Sequence, residues 1–279
     1  MSNNELSPAA LDVLVIAPHP DDAELGAAGA IQQLQAEGRR VGILDLTDGE
    51  PTPFGSPERR ARETAAATEI LGIDWRRNLG LPNRSLEPTL EARRQLAEVI
   101  RQVRPRWLLA PYWIDAHPDH VAATQLVEAA RFWAKLTKCD LAGQPHHPQR
   151  IFNYYCVHLK LAAQPAFVLD ISSHWERKLA AIRCYHSQFI EGQPTEGPTF
   201  LDRLRDEAAY WGKTIGVAIR AAGNPGGFWD LDNDRLEESM PVSIPIANAS
   251  FEAPAIDPNA FPAVPLADQW LEIDLDTVA

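Results

Sequence analysis

The chain has 279 residues, of which 45% are hydrophobic, so it is long and apolar enough to bury a sizeable core. Its formal net charge of −12 argues against a nucleic-acid partner, because such binding rests on lysines and arginines that neutralise phosphates. No stretch approaches the roughly 20 apolar residues of a membrane span, and the first residues lack the pattern of a signal peptide. We therefore expect a cytoplasmic protein with no membrane partner, and we leave a homo-oligomer open.

The acidic residues are concentrated towards the end of the chain. Residues 228–279 hold eleven aspartates and glutamates and one arginine, which accounts for −10 of the net charge. The stretch AAGNPGG at 221–227 precedes this segment and predicts a break. We expect an α/β domain over residues 10–226 and an acidic, proline-containing extension of unknown role over residues 227–279.

Apolar runs alternate with helical patterns from the start of the chain. The first predicted elements are a strand at 13–17, a helix at 24–38, a strand at 41–46 and a helix at 57–72. The last of these has Ser56 as its N-cap, Pro57 at its first position and Gly72 at its end. Strand followed by helix is the start of a repeated β-α-β unit.

The alternation continues to about residue 217. The remaining predicted elements are a strand at 75–78, a helix at 90–103, a strand at 106–112, a helix at 118–134, strands at 151–159 and 166–171, and helices at 174–189 and 199–217. Strands that are apolar throughout are typical of a parallel sheet covered on both faces by helices. We therefore predict a Rossmann-like, three-layer α/β fold with a mostly parallel sheet.

Three of the predicted strands are followed by unusually polar loops. These loops read HPDDAELG at 19–26, TDGEPTPFGSPE at 47–58 and DAHPDH at 115–120. In a parallel sheet the loops after the strands share one edge, and ligands collect there. We expect the following side chains to converge: His19, Asp21, Asp22, Asp48, Glu50, His117, Asp119 and His120.

Histidine and carboxylate ligands together suit zinc or a similar divalent ion, and a catalytic zinc takes three protein ligands. His19 with Asp22, and His117 with His120, are spaced three residues apart at predicted helix starts, where they share a face. A set of two histidines and one aspartate can be drawn from them, and the residues left over suit a general base and an oxyanion donor. The spacing leaves open which residue takes which role. The set favours metal-assisted hydrolysis.

Each motif also has a simpler explanation. Asp21 or Asp22 alone, and the HPDH stretch alone, are typical of helix caps, but two such clusters that each follow a strand are hard to explain by capping. The other histidines have no partner at metal-ligand spacing across two loops. We expect surface or packing positions for four of them and leave His186 open; the four are His146, His147, His158 and His174.

The stretches PHPDDAELG and DAHPDH resemble those of the PIG-L/LmbE-like family of zinc-dependent N-acetylglucosamine deacetylases, and the resemblance covers about residues 12–220. It implies a deacetylase domain with zinc as its cofactor, while iron or cobalt in place of zinc is left open. The zinc ligands that the resemblance implies are His19, Asp22 and His120.

The same resemblance implies roles for residues that do not bind the metal. Asp21 is expected to be the general base, and His117 is expected to stabilise the transition state. Arg60, within RRARE, stands where family members contact substrate, and we expect Glu50 to contact substrate as well. The expected reaction is hydrolysis of the N-acetyl group of a small N-acetylglucosamine conjugate, which releases acetate and a free amine.

Further stretches resemble the branch that deacetylates N-acetylglucosaminyl malate in bacillithiol synthesis. They are LGLPNR at 79–84, DIS at 170–172, KLAAIRCYHSQF at 178–189 and YWGKTIGV at 210–217. That branch usually has arginines in the loop after the second strand, where this chain has Asp48 and Phe54. An acid in place of a base weakens the case for an anionic malate group, so the group attached to the sugar stays open.

Two other functions remain alternatives. An aspartate-rich loop after the first strand also serves Mg²⁺-dependent phosphoryl transfer, although Mg²⁺ prefers oxygen ligands and HPDH offers two imidazoles. A non-catalytic protein that keeps the fold and docks through its acidic tail is the other alternative. A nicotinamide site is not indicated, because no G-x-G-x-x-G follows the first strand.

Overall fold

The computed structural model describes residues 10–158, 165–194, 196–215 and 243–249. Within these ranges the strands are β1 (Val13–Ala17), β2 (Val41–Thr47), β3 (Trp75–Leu81), β4 (Trp107–Pro111), β5 (Arg150–Tyr154), β6 (Phe167–Asp170) and β7 (Ser243–Ala249). They form one sheet in the order β3-β2-β1-β4-β5-β7-β6, and every pair of neighbours is parallel. The predicted parallel sheet is confirmed.

Helices cover both faces of the sheet. They are α1 (Ala28–Ala36), α2 (Pro57–Leu71), α3 (Leu90–Val103), α4 (Pro118–Ala134), α5 (Trp175–Arg183), α6 (His186–Phe189) and α7 (Phe200–Ile215). Buried side chains of α1, α2, α5 and α7 form one hydrophobic cluster, and those of α3 and α4 form a second. Val13 and Val15 of β1 join the first cluster and Leu14 and Ile16 the second, as alternation along a strand requires. The three-layer architecture is therefore confirmed.

The centre of the sheet determines where the functional loops meet. Val15 of β1 is paired with Ile43 of β2 on one side and with Leu109 of β4 on the other. The direction of strand progression reverses between β1 and β4, and in open parallel sheets ligands bind in the crevice at such a reversal. The loops after β1, β2 and β4 therefore border one crevice at the carboxyl edge of the sheet.

Most predicted elements are confirmed to within a few residues. Ser56 caps α2 by accepting a hydrogen bond from the Arg59 amide, and Gly72 ends that helix in a left-handed conformation. The helix predicted at 24–38 instead begins as a π-helix at Ala23–Ala27 before α1. The strand predicted at 151–159 ends at Tyr154. None of the helices in the described ranges is long and apolar enough to cross a membrane.

The helix predicted at 174–189 is divided into α5 and α6. The division falls at Cys184 and Tyr185. The Tyr185 side chain is fully buried, and its hydroxyl donates a hydrogen bond to the Glu24 carboxylate over 3.0 Å. Helical periodicity predicts a continuous helix here, but it does not register a contact with a residue of the distant π-helix. We attribute the break to this contact.

β7 comes from the segment predicted to be a C-terminal extension. It lies between β5 and β6, and Ile246 is paired with Tyr154 on one side and with Phe167 on the other. The remainder of 227–279 lies outside the described residues, so the division into residues 10–226 and 227–279 stays a prediction.

A buried ionic network connects β2, β3 and the π-helix. The Arg76 side chain on β3 is 6% exposed and donates two hydrogen bonds to Asp45 on β2, over 2.8 and 2.9 Å. It also pairs with Glu24 over 2.6 Å and donates to the Tyr185 hydroxyl over 3.3 Å. Burial raises the pKa of Asp45, and Arg76 opposes that rise. Without Arg76, two carboxylates would be left buried without a cation, which is a costly arrangement.

Replacing Arg76 with alanine is therefore expected to lower the free energy of unfolding by about 3–5 kcal/mol, measured by chemical denaturation at neutral pH. Arg77→Ala is the matched control, because Arg77 is the next residue on the same strand and is exposed. The control is expected to change the free energy of unfolding by about 0.5 kcal/mol or less. Equal losses in the two variants would contradict the role of the network.

Candidate active site

The turn after β1 is held in an unusual conformation. Oδ2 of Asp22 accepts a hydrogen bond from the His19 amide over 3.0 Å, so this carboxylate folds back over the turn. Asp21 has φ of 129°, in a region that residues other than glycine rarely adopt and that costs of order 1–3 kcal/mol. The surrounding contacts must hold Asp21 in place, and strain of this kind is concentrated at functional sites.

The structure brings the three predicted metal ligands together. Oδ2 of Asp22 lies 3.0 Å from Nδ1 of His19 and 3.3 Å from Nε2 of His120. His120 belongs to the first turn of α4 and reaches this point because β1 and β4 are neighbours in the sheet. All three side chains are largely buried, and they form one of the clusters that could hold a metal ion.

The spacing and charge of this ligand trio fit a divalent ion. Nitrogen and oxygen ligands about 2.0–2.1 Å from a tetrahedral zinc lie about 3.4 Å from one another, close to the separations at Asp22. Burial by itself would raise the pKa of Asp22, but His120 and His19 hold it well below its usual range. An ionised carboxylate between two imidazoles is a donor set that suits zinc or a similar divalent ion.

Asp115 lies behind His120. Its Oδ2 is 3.1 Å from Nδ1 of His120, so the two ring nitrogens of His120 face two different carboxylates. Its Oδ1 accepts a hydrogen bond from the His117 amide over 2.7 Å. A carboxylate in this position orients a metal-binding histidine and raises its basicity. The buried thiol of Cys156 forms a second candidate cluster with Asp115 and His120. Burial raises the pKa of this thiol to about 12, which keeps it neutral.

His117 is the N-cap of α4 and lies beside the ligand trio. Its Nδ1 accepts a hydrogen bond from the Asp119 amide over 3.2 Å, so the neutral ring carries its proton on Nε2. Burial and the nearby His120 and His19 lower the pKa of His117, which favours that neutral form. Its ring centroid lies 4.8 Å from those of both histidines. A neutral imidazole in this position suits hydrogen bonding to an oxyanion.

Asp119 connects the ligand trio to the loop after β3. Its Oδ2 lies 3.2 Å from Nε2 of His19 and accepts a hydrogen bond from the Arg84 amide over 2.7 Å. Its Oδ1 accepts from the Leu86 amide over 3.2 Å. Carboxylates therefore face both ring nitrogens of His19, which restricts the orientation of its imidazole ring.

Asp21 is tethered to α2 through Arg60. Nη1 of Arg60 donates to Oδ2 of Asp21 over 2.8 Å and to the Pro20 carbonyl over 2.5 Å, and Nε donates to Glu50 over 3.2 Å. Glu50 also accepts hydrogen bonds from the amide and hydroxyl of Thr52. Burial raises the pKa of Asp21 to about 7, and Arg60 opposes that rise. These contacts hold a carboxylate beside the ligand trio without making it a member of the trio.

The structure adds a histidine that sequence reasoning did not assign to the site. His158 is exposed, and its ring centroid lies 5.6 Å from that of His117 and 5.8 Å from that of His120. It follows β5, the neighbour of β4, so the rule that placed the other loops at one edge also applies to it. His186, whose role was open, lies beside Arg59 instead, with its Nδ1 3.4 Å from Nη2 of Arg59.

Comparison with known proteins identifies the family. The profile of the PIG-L family, described as GlcNAc-PI de-N-acetylase, matches residues 14–131. Diacetylchitobiose deacetylase from Thermococcus kodakarensis is 34% identical in an alignment of 218 residues that covers 73% of this chain and 79% of that protein. The chain belongs to the PIG-L family. Its predicted class, a deacetylase-type hydrolase, is confirmed.

Two further similar proteins bear on the fold and the branch. The solved structure of the conserved protein TT1542 from Thermus thermophilus is 42% identical, with a TM-score of 0.68, and covers 74% of this chain and 90% of that chain. A probable N-acetyl-alpha-D-glucosaminyl L-malate deacetylase from Bacillus anthracis is 28% identical over 63% of this chain and 81% of that protein. The resemblance to the bacillithiol branch is therefore distant, and the sequence of this chain is more similar to that of the diacetylchitobiose deacetylase.

Replacing Asp115 with alanine is expected to weaken zinc binding about 10- to 100-fold, because His120 would lose the carboxylate that orients it. Zinc affinity is measured by competition with a chelating dye. Asp74→Ala is the control, since Asp74 is an exposed aspartate before β3 and its loss should leave the affinity unchanged. Zinc affinity that stays at the level of the unmodified protein after Asp115→Ala would contradict the orienting role.

Proposed function

We propose that this PIG-L protein hydrolyses the N-acetyl group of a small N-acetylglucosamine conjugate and releases acetate and a free amine, with zinc as its metal ion. One observation carries the proposal: the buried trio of His19, Asp22 and His120 lies beside a separate carboxylate, Asp21, which Arg60 orients. Amide hydrolysis needs both a cation that polarises the carbonyl and a base that takes a proton from water.

The side chains around the trio divide the remaining tasks. His19, Asp22 and His120 would hold a divalent ion, which would lower the pKa of water and polarise the acetamide carbonyl. Asp21 takes the proton of the attacking water, and Arg60 holds its carboxylate in position. His117 donates a hydrogen bond from Nε2 to the oxyanion, since its Nδ1 already accepts one from the Asp119 amide. Asp21, which then carries the proton taken from water, protonates the leaving amine as the C–N bond breaks.

Arg60 and Glu50 are proposed to act on the substrate. Arg60 lies beside Asp21, and its side chain is only 4% exposed, so a contact with the sugar next to the reacting amide is confined to a small part of its guanidinium. The Glu50 side chain is 2% exposed, and both of its oxygens accept hydrogen bonds from Thr52 or Arg60. Its effect on the substrate is therefore proposed to pass through Arg60.

The alternatives fit the site less well. Mg²⁺-dependent phosphoryl transfer calls for oxygen ligands, whereas two of the three ligands in the trio are imidazoles. A protein that only docks partners has no need of a strained aspartate held by a buried arginine next to a metal-ligand set. These features favour hydrolysis.

Asp21→Ala is expected to lower the rate of acetate release by about 10²–10⁴-fold while zinc stays bound, because the variant loses the base and keeps the trio. The measurements are acetate release and zinc content per chain. His19→Ala is the comparison, and it is expected to lose zinc as well as activity. A near-normal rate in Asp21→Ala would overturn the assignment of the base.

Removal of the metal is expected to abolish acetate release, and one equivalent of zinc is expected to restore it. The assay uses protein stripped with a chelator and then supplied with zinc or with Mg²⁺. Restoration by Mg²⁺ together with phosphatase activity would favour the phosphoryl-transfer alternative instead.

A further inference from the structure

An exposed tryptophan lies on the loop that holds the metal-binding motif. Trp113 and Ile114 follow β4 and are 39% and 45% exposed. The next residue, Asp115, contacts His117 and His120, so the loop is anchored to the site immediately after its two apolar residues. Trp113 is therefore two residues before Asp115 in the sequence, and its loop lies at the same edge of the sheet as the candidate site.

The Trp113 ring packs against the first of a row of aromatic rings. The centroids of Trp113 and Tyr112 are 4.1 Å apart, and Tyr112 meets Tyr155 edge-on at 5.0 Å. The Tyr155 ring centroid in turn lies 5.8 Å from that of Trp211 on α7. The backbone is fixed as well, because the Tyr112 amide donates a hydrogen bond to the Tyr154 carbonyl. The exposed indole is thus held in place before a ligand arrives, which reduces the entropy lost on binding.

The loop after β2 carries apolar surface as well. Because β2 and β4 pair with opposite edges of β1, the loops after them border the turn after β1 from two sides. Phe54 is 44% exposed, and its ring packs so closely on Gly192 that a Cβ there would come within 2.3 Å of it. Gln188 donates a hydrogen bond to Thr52 and fixes the same loop. Exposed apolar side chains thus occur on two of the loops that border the crevice, and such surface is typical of a binding site.

The charges around the crevice do not favour an anionic partner for the sugar. In the described part of the chain, Arg59 is paired with Glu191 over 2.7 Å, and Arg60 is paired with the two carboxylates described above. The Arg84 guanidinium donates to a backbone carbonyl of the loop after β2. Asp48, on that loop, is exposed and adds negative charge. Of these three arginines, Arg59 and Arg60 are paired with carboxylates. Arg84 keeps its charge, which the exposed Asp48 balances in number, and the aromatic surface is accessible.

We propose that Trp113 determines substrate specificity by stacking against a neutral sugar ring attached to the N-acetylglucosamine unit. A pyranose ring has a face of C–H bonds that matches an indole, and its hydroxyl groups need no cation. This inference rests on the proposed function, because it identifies the group attached to the sugar whose acetamide is hydrolysed. The class of substrate is a neutral oligosaccharide such as an acetylated amino-sugar disaccharide.

The test compares three substrates with the full-length, zinc-loaded protein: N,N′-diacetylchitobiose, N-acetylglucosaminyl malate and methyl N-acetylglucosaminide. Trp113→Ala is expected to raise KM for the disaccharide about tenfold with little change in kcat, and to leave kcat/KM for the methyl glycoside unchanged. Trp113→Phe should restore most of the affinity. Phe132→Ala is the control, because Phe132 is 54% exposed near the far end of α4, roughly 20 Å from its first residue.

Different outcomes overturn different conclusions. Equal losses on the disaccharide and the methyl glycoside, or an unchanged KM for the disaccharide, would overturn the stacking role of Trp113. A higher kcat/KM for the malate conjugate than for the disaccharide in the unmodified protein would overturn the neutral class of substrate. Absence of acetate release from all three substrates would overturn the proposed function itself. Zinc content and thermal midpoint of each variant separate these outcomes from a failure to fold.

Discussion

The contact of one carboxylate, Asp22, with both His19 and His120 is the interaction on which the site depends. It joins the loop after β1 to the first turn of α4 and concentrates negative charge where a divalent cation would be bound. The contact requires β1 and β4 to be neighbours, and the order of the sheet provides this. Asp115 and Asp119 then face the outer nitrogens of the two histidines, so that buried acids restrain both imidazoles.

Two buried arginines hold the segment after β1 in a similar way. Arg60 lies between Asp21 and Glu50, and Arg76 lies between Glu24 and Asp45. Each guanidinium thus connects a carboxylate of the turn or π-helix with one from β2 or its loop. A strained backbone persists only when its surroundings over-determine it, and these two bridges meet that condition for the turn after β1. The same rigidity keeps the proposed base close to the candidate metal ligands without a cost at the time of reaction.

The sequence predicted most of the fold because its signals are local. Apolar runs, the Ser56 cap and the Gly72 terminator each depend on a few adjacent residues, and all are confirmed. Predictions were less accurate where distant residues decide the conformation, as at the break near Tyr185, whose hydroxyl contacts the π-helix. His158 was not assigned to the site because the strand predicted at 151–159 included it, whereas β5 ends at Tyr154 and leaves His158 after the strand, next to His117 and His120.

By itself, the sequence determined the α/β class and the types of side chain at the site, since motif letters and periodicity are properties of short segments. It also indicated that a set of two histidines and one aspartate could be drawn from the two motifs, and the family resemblance implied that Asp21 stays outside this set. Only the tertiary structure decided which atoms meet: Asp22 between two imidazoles, Arg60 against Asp21, and aromatic support beneath Trp113. The physical reason is that these contacts join segments far apart in the chain, and their distances follow from strand order and packing rather than from local pattern.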